Sequence, residues 1–261
     1  MIKDRVKKGI DLLPTLLTMG NILCGVFAIV ASFNRDWFEA CLAIAVAFAL
    51  DGLDGRLARM IDSQSEFGLE LDALADLVSF GMAPAMLAYS NWLFFYERLG
   101  ILLAFMFVCG SALRLARFNA HDVESDELKG FFNGFPTPAA AGVVVSLYFV
   151  EQEFFVLSDG LPGWSRQVFV FVVPLTMLIL SYLMLSNLKY PNFKQATDFD
   201  GHPFGIITAL LLFVFVAALF PLMVFSVGFI GYLLLGLMNF VPMIDWGSSK
   251  SGVEAESTGE S

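Results

Sequence analysis

The sequence predicts an all-α fold, a polytopic membrane helix bundle. Three observations carry this reading: 57% of the 261 residues are hydrophobic, only 15% are charged, and the mean hydropathy is +0.73. Such values lie well outside the soluble globular range. A helix needs ~20 apolar residues to cross the hydrocarbon core. Runs near that length fall at 13–33, 37–59, 68–95, 99–119, 136–156, 166–188, 204–220 and 222–244, which gives eight expected spans. The last two are separated at Phe220-Pro221-Leu222, read as a tight hairpin because proline breaks the backbone ladder and the combined run is too long for one crossing.

Taken from the N-terminus, residues 1–12 place Ile2, Val6 and Ile10 at helical spacing, with Lys3, Lys7 and Lys8 on other faces. This is the pattern of an interfacial amphipathic helix. A secretory leader fits less well, because the apolar run continues to Phe33 and lacks a small-residue cleavage site. Six spans then occupy 13–195, a further hairpin occupies 196–246, and 247–261 is a small, polar, acidic tail expected to be disordered.

Orientation follows from the basic residues, which cytoplasmic loops retain. With both termini inside, twelve of the fifteen Lys and Arg residues fall on the cytoplasmic side, leaving Arg35, Arg98 and Arg166 outside. Trp37, Trp92, Trp164 and Trp246 all fall at expected span ends, where an amphipathic ring sits at the headgroup level. The net charge of −10 comes from outer loops, intramembrane acids and the tail, and no basic stripe argues for nucleic acid. Cys24, Cys41 and Cys109 lie in apolar spans without paired spacing and read as buried structural thiols.

Against this background one segment stands apart. Residues 51–76 read DGLDGRLARMIDSQSEFGLELDALAD, four aspartates in a membrane setting where ionisable groups are costly. Asp51 and Asp54, three apart, project about 60° from one another and share a helix face; Asp72 and Asp76, four apart, share one on the next helix. The short turn between Arg59 and Gly68 makes the two helices antiparallel neighbours, so both pairs can converge. Counting ~1.5 Å per residue from the end near Met60, Asp51 lies ~13 Å inside the cytoplasmic boundary. Arg56 and Arg59 are the nearby bases, too few to neutralise four acids. Four such carboxylates suit two hard divalent cations, Mg²⁺ or Mn²⁺, of the kind that clamp a diphosphate. Gly55, Ala58 and Gly68 keep the approach small enough for a nucleotide, while Arg59 and Ser65 can bind phosphate oxygens or ribose hydroxyls.

The pattern D-x2-D-G-x2-A-R-x8-G-x3-D-x3-D is met at every position by Asp51, Asp54, Gly55, Ala58, Arg59, Gly68, Asp72 and Asp76, and it resembles the signature of the CDP-alcohol phosphatidyltransferases. The resemblance implies a six-helix catalytic core over 13–195 with two extra C-terminal helices, and it implies a homodimer. It makes Asp51, Asp54, Asp72 and Asp76 ligands of two divalent metals around the CDP diphosphate, with Asp76 also the base that deprotonates the acceptor alcohol. Gly55, Arg59 and Ser65 would then hold the CDP moiety.

The acceptor must be read elsewhere. LPTLLTMGNILCG at 13–25, LDALADLVSFGMAPA at 71–85, GSALRLARFNA at 110–120, FPTPAAAG at 135–142 and SNLKYPNFK at 186–194 are similar to the integral-membrane bacterial phosphatidylserine synthases. Thr15, where related enzymes often carry Asn, departs from that pattern. This resemblance implies CDP-diacylglycerol and L-serine as substrates and the bacterial inner membrane as the location, with the site on the cytoplasmic side. The residues add partial support: a zwitterionic acceptor needs a cation for its carboxylate, which Arg114 and Arg117 can supply, with Asn119, Thr137, Lys189 and Tyr190 as further polar candidates. Those arginines also obey the positive-inside bias, which alone would place them there. His121 and His202 are read as loop histidines, with no nucleophile for a covalent intermediate. Three alternatives remain: glycerol 3-phosphate or inositol phosphate as acceptor, a non-catalytic scaffold, against which the intact aspartate set argues, and an ion or solute transporter using paired intramembrane acids. A transport pathway has no need of Gly55, Ala58, Arg59 and Gly68 at those offsets.

Overall fold

The computed structural model describes residues 2–61, 66–121, 131–157, 164–186, 189–191 and 221–238. Helix α1 runs from Ile2–Asn34 without a break, so the stretch expected at the interface and the first span share one helix. It passes through Pro14, whose ring removes one backbone donor from the helical ladder. At its other end Arg35 adopts φ 68°, Arg35 N–H donates to Ser32 O at 3.2 Å, and Asp36 N–H donates to Ala31 O at 2.9 Å. A left-handed residue capping the last carbonyls turns the chain back on itself. Helix α2, Trp37–Ile61, therefore lies along α1, and the buried Ala28, Ala31, Ala40, Ala43 and Ala47 let the two backbones approach closely.

Helix α3, Glu66–Asp76, passes directly into a π-helical segment, Leu77–Met82, and then into α4, Ala83–Asn91, and a 3₁₀ turn, Leu93–Tyr96. The widened segment is fixed against α1. Ser79 Oγ donates to the Asn21 carbonyl at 2.8 Å, and a Cβ at Gly25 would stand 2.9 Å from Ser79 Cα. The two aspartate-bearing helices meet less through direct packing than a short turn implies; α1 lies against both and joins them.

Helices α5, Arg98–His121, α6, Thr137–Leu157, α7, Trp164–Leu185, and α8, Pro221–Met238, complete the described bundle. Helix α5 packs on α7, and α6 on α8. Phe80, Leu87, Trp92, Phe107 and Phe135 are the large side chains at the centre of the core. Near the far end of the bundle Glu151 is buried, accepting from Trp92 Nε1 at 2.9 Å and from Asn91 Nδ2 at 3.4 Å. Pro14–Asn34, Phe67–Asn91, Arg98–Asn119 and Gln167–Leu185 are each long and apolar enough to cross a membrane. The architecture is essentially all helical and that of an integral membrane protein.

One small feature departs from pure helix: β1, Phe131–Asn133, pairs antiparallel with β2, Lys189–Pro191, with Phe132 opposite Tyr190. Gly134 follows at φ 82°, pressed against Met184 O, which is 2.7 Å from where a Cβ would stand. Hydropathy cannot reveal a ribbon this short. The expected span 204–220, the tail 247–261, Ser65 and His202 lie outside the described residues.

Candidate active site

Depth along the helices sorts the aspartates into two levels. Asp51 lies ten residues before the end of α2, and Asp76 lies ten residues after the start of α3. At ~1.5 Å per residue both are ~15 Å from the helix ends that face the short connection. Asp54 and Asp72 lie one turn nearer those ends. Side-chain oxygens of Asp51, Asp72 and Asp76 come within 4.8 Å of one another, the one such acidic trio among the described residues. Asp54 stands beside the trio, close enough for its charge to act on the other three. It is 4% exposed, and its Oδ2 accepts a hydrogen bond from Thr18 Oγ1 of α1 at 3.0 Å.

This donor set fits a hard cation. Asp72 Oδ1 and Asp76 Oδ1 are buried with no hydrogen-bond partner, an arrangement that carboxylate oxygens tolerate poorly unless a positive ion satisfies them. All-oxygen carboxylate ligation is the chemistry of Mg²⁺ and Mn²⁺ rather than of softer metals. The acidic group can therefore bind a divalent metal, with Asp51, Asp72 and Asp76 in direct reach of one ion.

Next to the acids the surface is open. A Cβ at Gly52 or Gly55 would meet nothing within 4 Å, and both glycines are exposed. Gly55 thus leaves a bare stretch of backbone beside Asp51 and Asp54. Ala58 and Arg59 sit on the last turns of α2, but their side chains are outside the described residues; Gly68 lies in the first turn of α3.

Of the acceptor candidates, Arg114 reaches this cluster. It projects from α5 within electrostatic range of Asp76, and its Nη1 donates to Thr137 Oγ1 at the start of α6, at 2.9 Å. Arg114 Nε is buried and has no hydrogen-bond partner. Arg117 is exposed three residues further on, and Asn119 is half-buried near the end of the same helix. Lys189 and Tyr190 belong to the ribbon strand β2.

Sequence reasoning missed the contribution of α1. Thr18 holds Asp54, and Asn21, one turn on, is fully buried with neither side-chain atom partnered. A signal was present: Thr15, Thr18 and Asn21 recur every three residues along one face of an otherwise apolar span. The π-helical segment immediately after Asp76 had no such signal, although segments of this kind often lie at functional sites.

Fold and site together define a polytopic membrane protein with an oxygen-ligand cation site inside the bundle, toward one end of its helices. The chain belongs to the CDP-alcohol phosphatidyltransferase family, whose sequence profile matches residues 11–180. Among its relatives is a protein of Helicobacter pylori named CDP-diacylglycerol–serine O-phosphatidyltransferase, 35% identical over 230 residues, covering 88% of this chain and 91% of the relative. A protein of the same name from Bacillus subtilis is 38% identical over 184 residues, 70% of this chain and 92% of its own. Another, from Methanocaldococcus jannaschii, is 34% identical over 180 residues, 69% and 73% of the two chains.

Proposed function

We propose that this protein is a CDP-diacylglycerol–serine O-phosphatidyltransferase, moving the phosphatidyl group from CDP-diacylglycerol to L-serine and releasing CMP. The observation that carries the reading is 35% identity to a serine phosphatidyltransferase across nearly the full length of both chains. The family profile spans the acidic trio and Arg114 together, which favours an enzyme over a transporter with intramembrane acids.

In this reading Asp51, Asp54, Asp72 and Asp76 would hold two divalent ions, Mg²⁺ or Mn²⁺, for the CDP diphosphate. Bound there, the ions would supply positive charge to the diphosphate and to the departing CMP. Gly55, Ala58, Arg59, Ser65 and Gly68 form the CDP-lipid side of the site. Asp76 is the general base, its carboxylate taking the serine hydroxyl proton. The serine oxygen bonds to the β-phosphorus, the bond from that phosphorus to the CMP oxygen breaks, and CMP carries away the electron pair. Arg114 pairs with the serine carboxylate, with Arg117 and Asn119 further out on α5. The protein sits in the bacterial inner membrane as a homodimer, with both termini and the site on the cytoplasmic side. Residues 13–195 form the catalytic core, and the stretch 1–12 is joined to it through the unbroken helix α1.

The test is CMP release by the purified protein in detergent, supplied with CDP-diacylglycerol, Mn²⁺ or Mg²⁺, and each acceptor separately. Release with serine is expected, and chelation should abolish it. Release with glycerol 3-phosphate or inositol phosphate but not serine would reassign the acceptor and leave the reaction class standing.

A further inference from the structure

Ser32, Ser111, Ser146 and Ser181 are buried, and each donates its hydroxyl to the carbonyl four residues back in its own helix, at 2.7, 3.0, 2.6 and 2.7 Å. Thr137 is fully buried as well, but it opens α6 and has no helical carbonyl behind it. Its Oγ1 instead accepts from Nη1 of Arg114, on α5, at 2.9 Å. The bond joins two helices and two residues 23 apart in the chain.

The segment leading to that oxygen is seated on the end of α7. Gly134 adopts φ 82°, and a Cβ there would stand 2.7 Å from Met184 O and 3.0 Å from Ser186 O. Phe135, next in the chain, is fully buried, and its N–H donates to Leu183 O at 3.1 Å. Pro136 O then accepts the Ala140 N–H at 3.0 Å, closing the first turn of α6 around Thr137. Pro136 and Pro138 flank the threonine, and a proline ring holds φ at about −65°. Thr137 Oγ1 is thus a fixed point against which a flexible side chain can be set.

Arginine is such a side chain. With Nη1 taken by Thr137, Arg114 Nε remains buried with no hydrogen-bond partner. A buried donor on a charged group is costly to leave open, so the position suits an anionic ligand that meets it. A carboxylate pairs best with arginine through two parallel N–H bonds, and the edge carrying Nε supplies one of them.

We propose that Thr137 is a positioning residue for the acceptor: anchored through its chain neighbours to α7, it holds Arg114 by Nη1 and so presents the Nε edge to the acceptor's carboxylate. The inference rests on the amino-acid acceptor assigned above. Thr137 acts through Arg114 and not by contact with the acceptor. A long arginine side chain has many rotamers, and pinning one of them in advance removes an ordering cost that acceptor binding would otherwise meet. The close seating of Gly134 and Phe135 on α7 thereby contributes to acceptor selection, although neither residue carries a group that reacts or binds charge.

The test is Thr137→Val, which keeps the branched shape and deletes the oxygen, with Thr137→Ser as the variant that keeps the oxygen. For the valine variant the KM for serine should rise about three- to tenfold, the cost of ordering one long side chain on binding, while kcat and the KM for CDP-diacylglycerol stay within about twofold. Thr137→Ser should return the serine KM to within about twofold of wild type. Thr137→Ala, which removes the oxygen with less bulk, gives the same reading should the valine variant not fold. An unchanged serine KM would overturn the inference, and so would an equal rise in both KM values, which is what a loosened α6 would produce. A fall in kcat with the serine KM kept would overturn it too, because Arg114 would then serve Asp76 and not the acceptor. If the wild-type protein releases CMP with another acceptor but not with serine, the parent reading fails along with this one. Serine turnover by the wild type with an indifferent Thr137→Val overturns the inference alone.

Discussion

Thr18→Val isolates the contribution of α1 to the carboxylate site. Thr18 Oγ1 lies 3.0 Å from Asp54 Oδ2 and also 3.0 Å from Pro14 O, the carbonyl four residues back. One hydroxyl proton cannot serve both fully. A charge-assisted bond is roughly twice as strong as a neutral one, so the proton goes to Asp54 and the contact with Pro14 is the weaker. Valine keeps the branched shape, fills the same space and deletes the donor. Losing a hydrogen bond to a buried charged group costs about 1.5–3 kcal/mol. Much of that loss falls equally on the metal-free and metal-bound protein and appears as lowered thermal stability. What falls on the cation alone is the lost orientation of Asp54, and removing partners of this kind typically weakens metal binding roughly 10–100-fold. The assay is CMP release against Mn²⁺ concentration, with Thr18→Ser as the control that restores a hydroxyl. The half-activating Mn²⁺ concentration should rise for the valine variant and return toward wild type for the serine variant. A valine variant with wild-type metal dependence would refute the role given to Asp54 as a ligand oriented from α1.

Three further outcomes are expected. Asp76→Asn should lower kcat by roughly 10²–10⁴, the range of a lost general base, with binding of CDP-diacylglycerol, followed by equilibrium dialysis in detergent, largely kept; normal turnover would remove Asp76 from the base role. Gly25→Ala forces a methyl group to within 2.9 Å of Ser79 Cα and should cost about 1–3 kcal/mol by overpacking, read as a lowered melting temperature together with lowered activity, because the displaced segment begins at Leu77, next to Asp76. Glu151→Leu should destabilise by about 1–3 kcal/mol by stranding the buried Trp92 Nε1 donor, and the serine KM of the protein that remains folded should not change.

The aspartates are legible in the sequence because helical geometry leaves them few places to go. Spacings of three and four put each pair on a face, and the short connection after Ile61 brings Asp51 and Asp76 to the same depth. The helices are legible because lipid demands long apolar runs. The third expected span, 68–95, starts with the apolar stretch Phe67–Asn91 but overruns it into the 3₁₀ turn Leu93–Tyr96, and it conceals a change from α to π to α, since hydropathy reports composition and not the number of residues per turn. Thr18 and Arg114 differ instructively. Arg114 is conspicuous as a charge near a helix end, whereas Thr18 looks like any hydroxyl in a membrane helix, and its partner lies 36 residues away. The seating of α8 is less visible still: Phe229 fits over Gly142 of α6, where any side chain would collide with it, and no local pattern announces this.

The placement of these groups also bears on how one site receives a lipid and an amino acid. Gly52 and Gly55 present bare, exposed backbone beside Asp51 and Asp54, so a diphosphate whose acyl chains remain in the bilayer can reach the acids from the flank of α2. Arg114 projects from α5 and is held by Thr137 at the start of α6, a different pair of helices. Asp76 is within electrostatic range of both Asp51 and Arg114. With Asp76 as the proposed base and Arg114 as the proposed anchor for the acceptor's carboxylate, the acceptor would be held at two points, which is what aims a small flexible molecule. Reaction class and acceptor choice are then separable by mutation: changes along α2 and α3 should affect every acceptor alike, whereas changes around Arg114 should alter the ranking among acceptors while leaving CDP-diacylglycerol affinity intact.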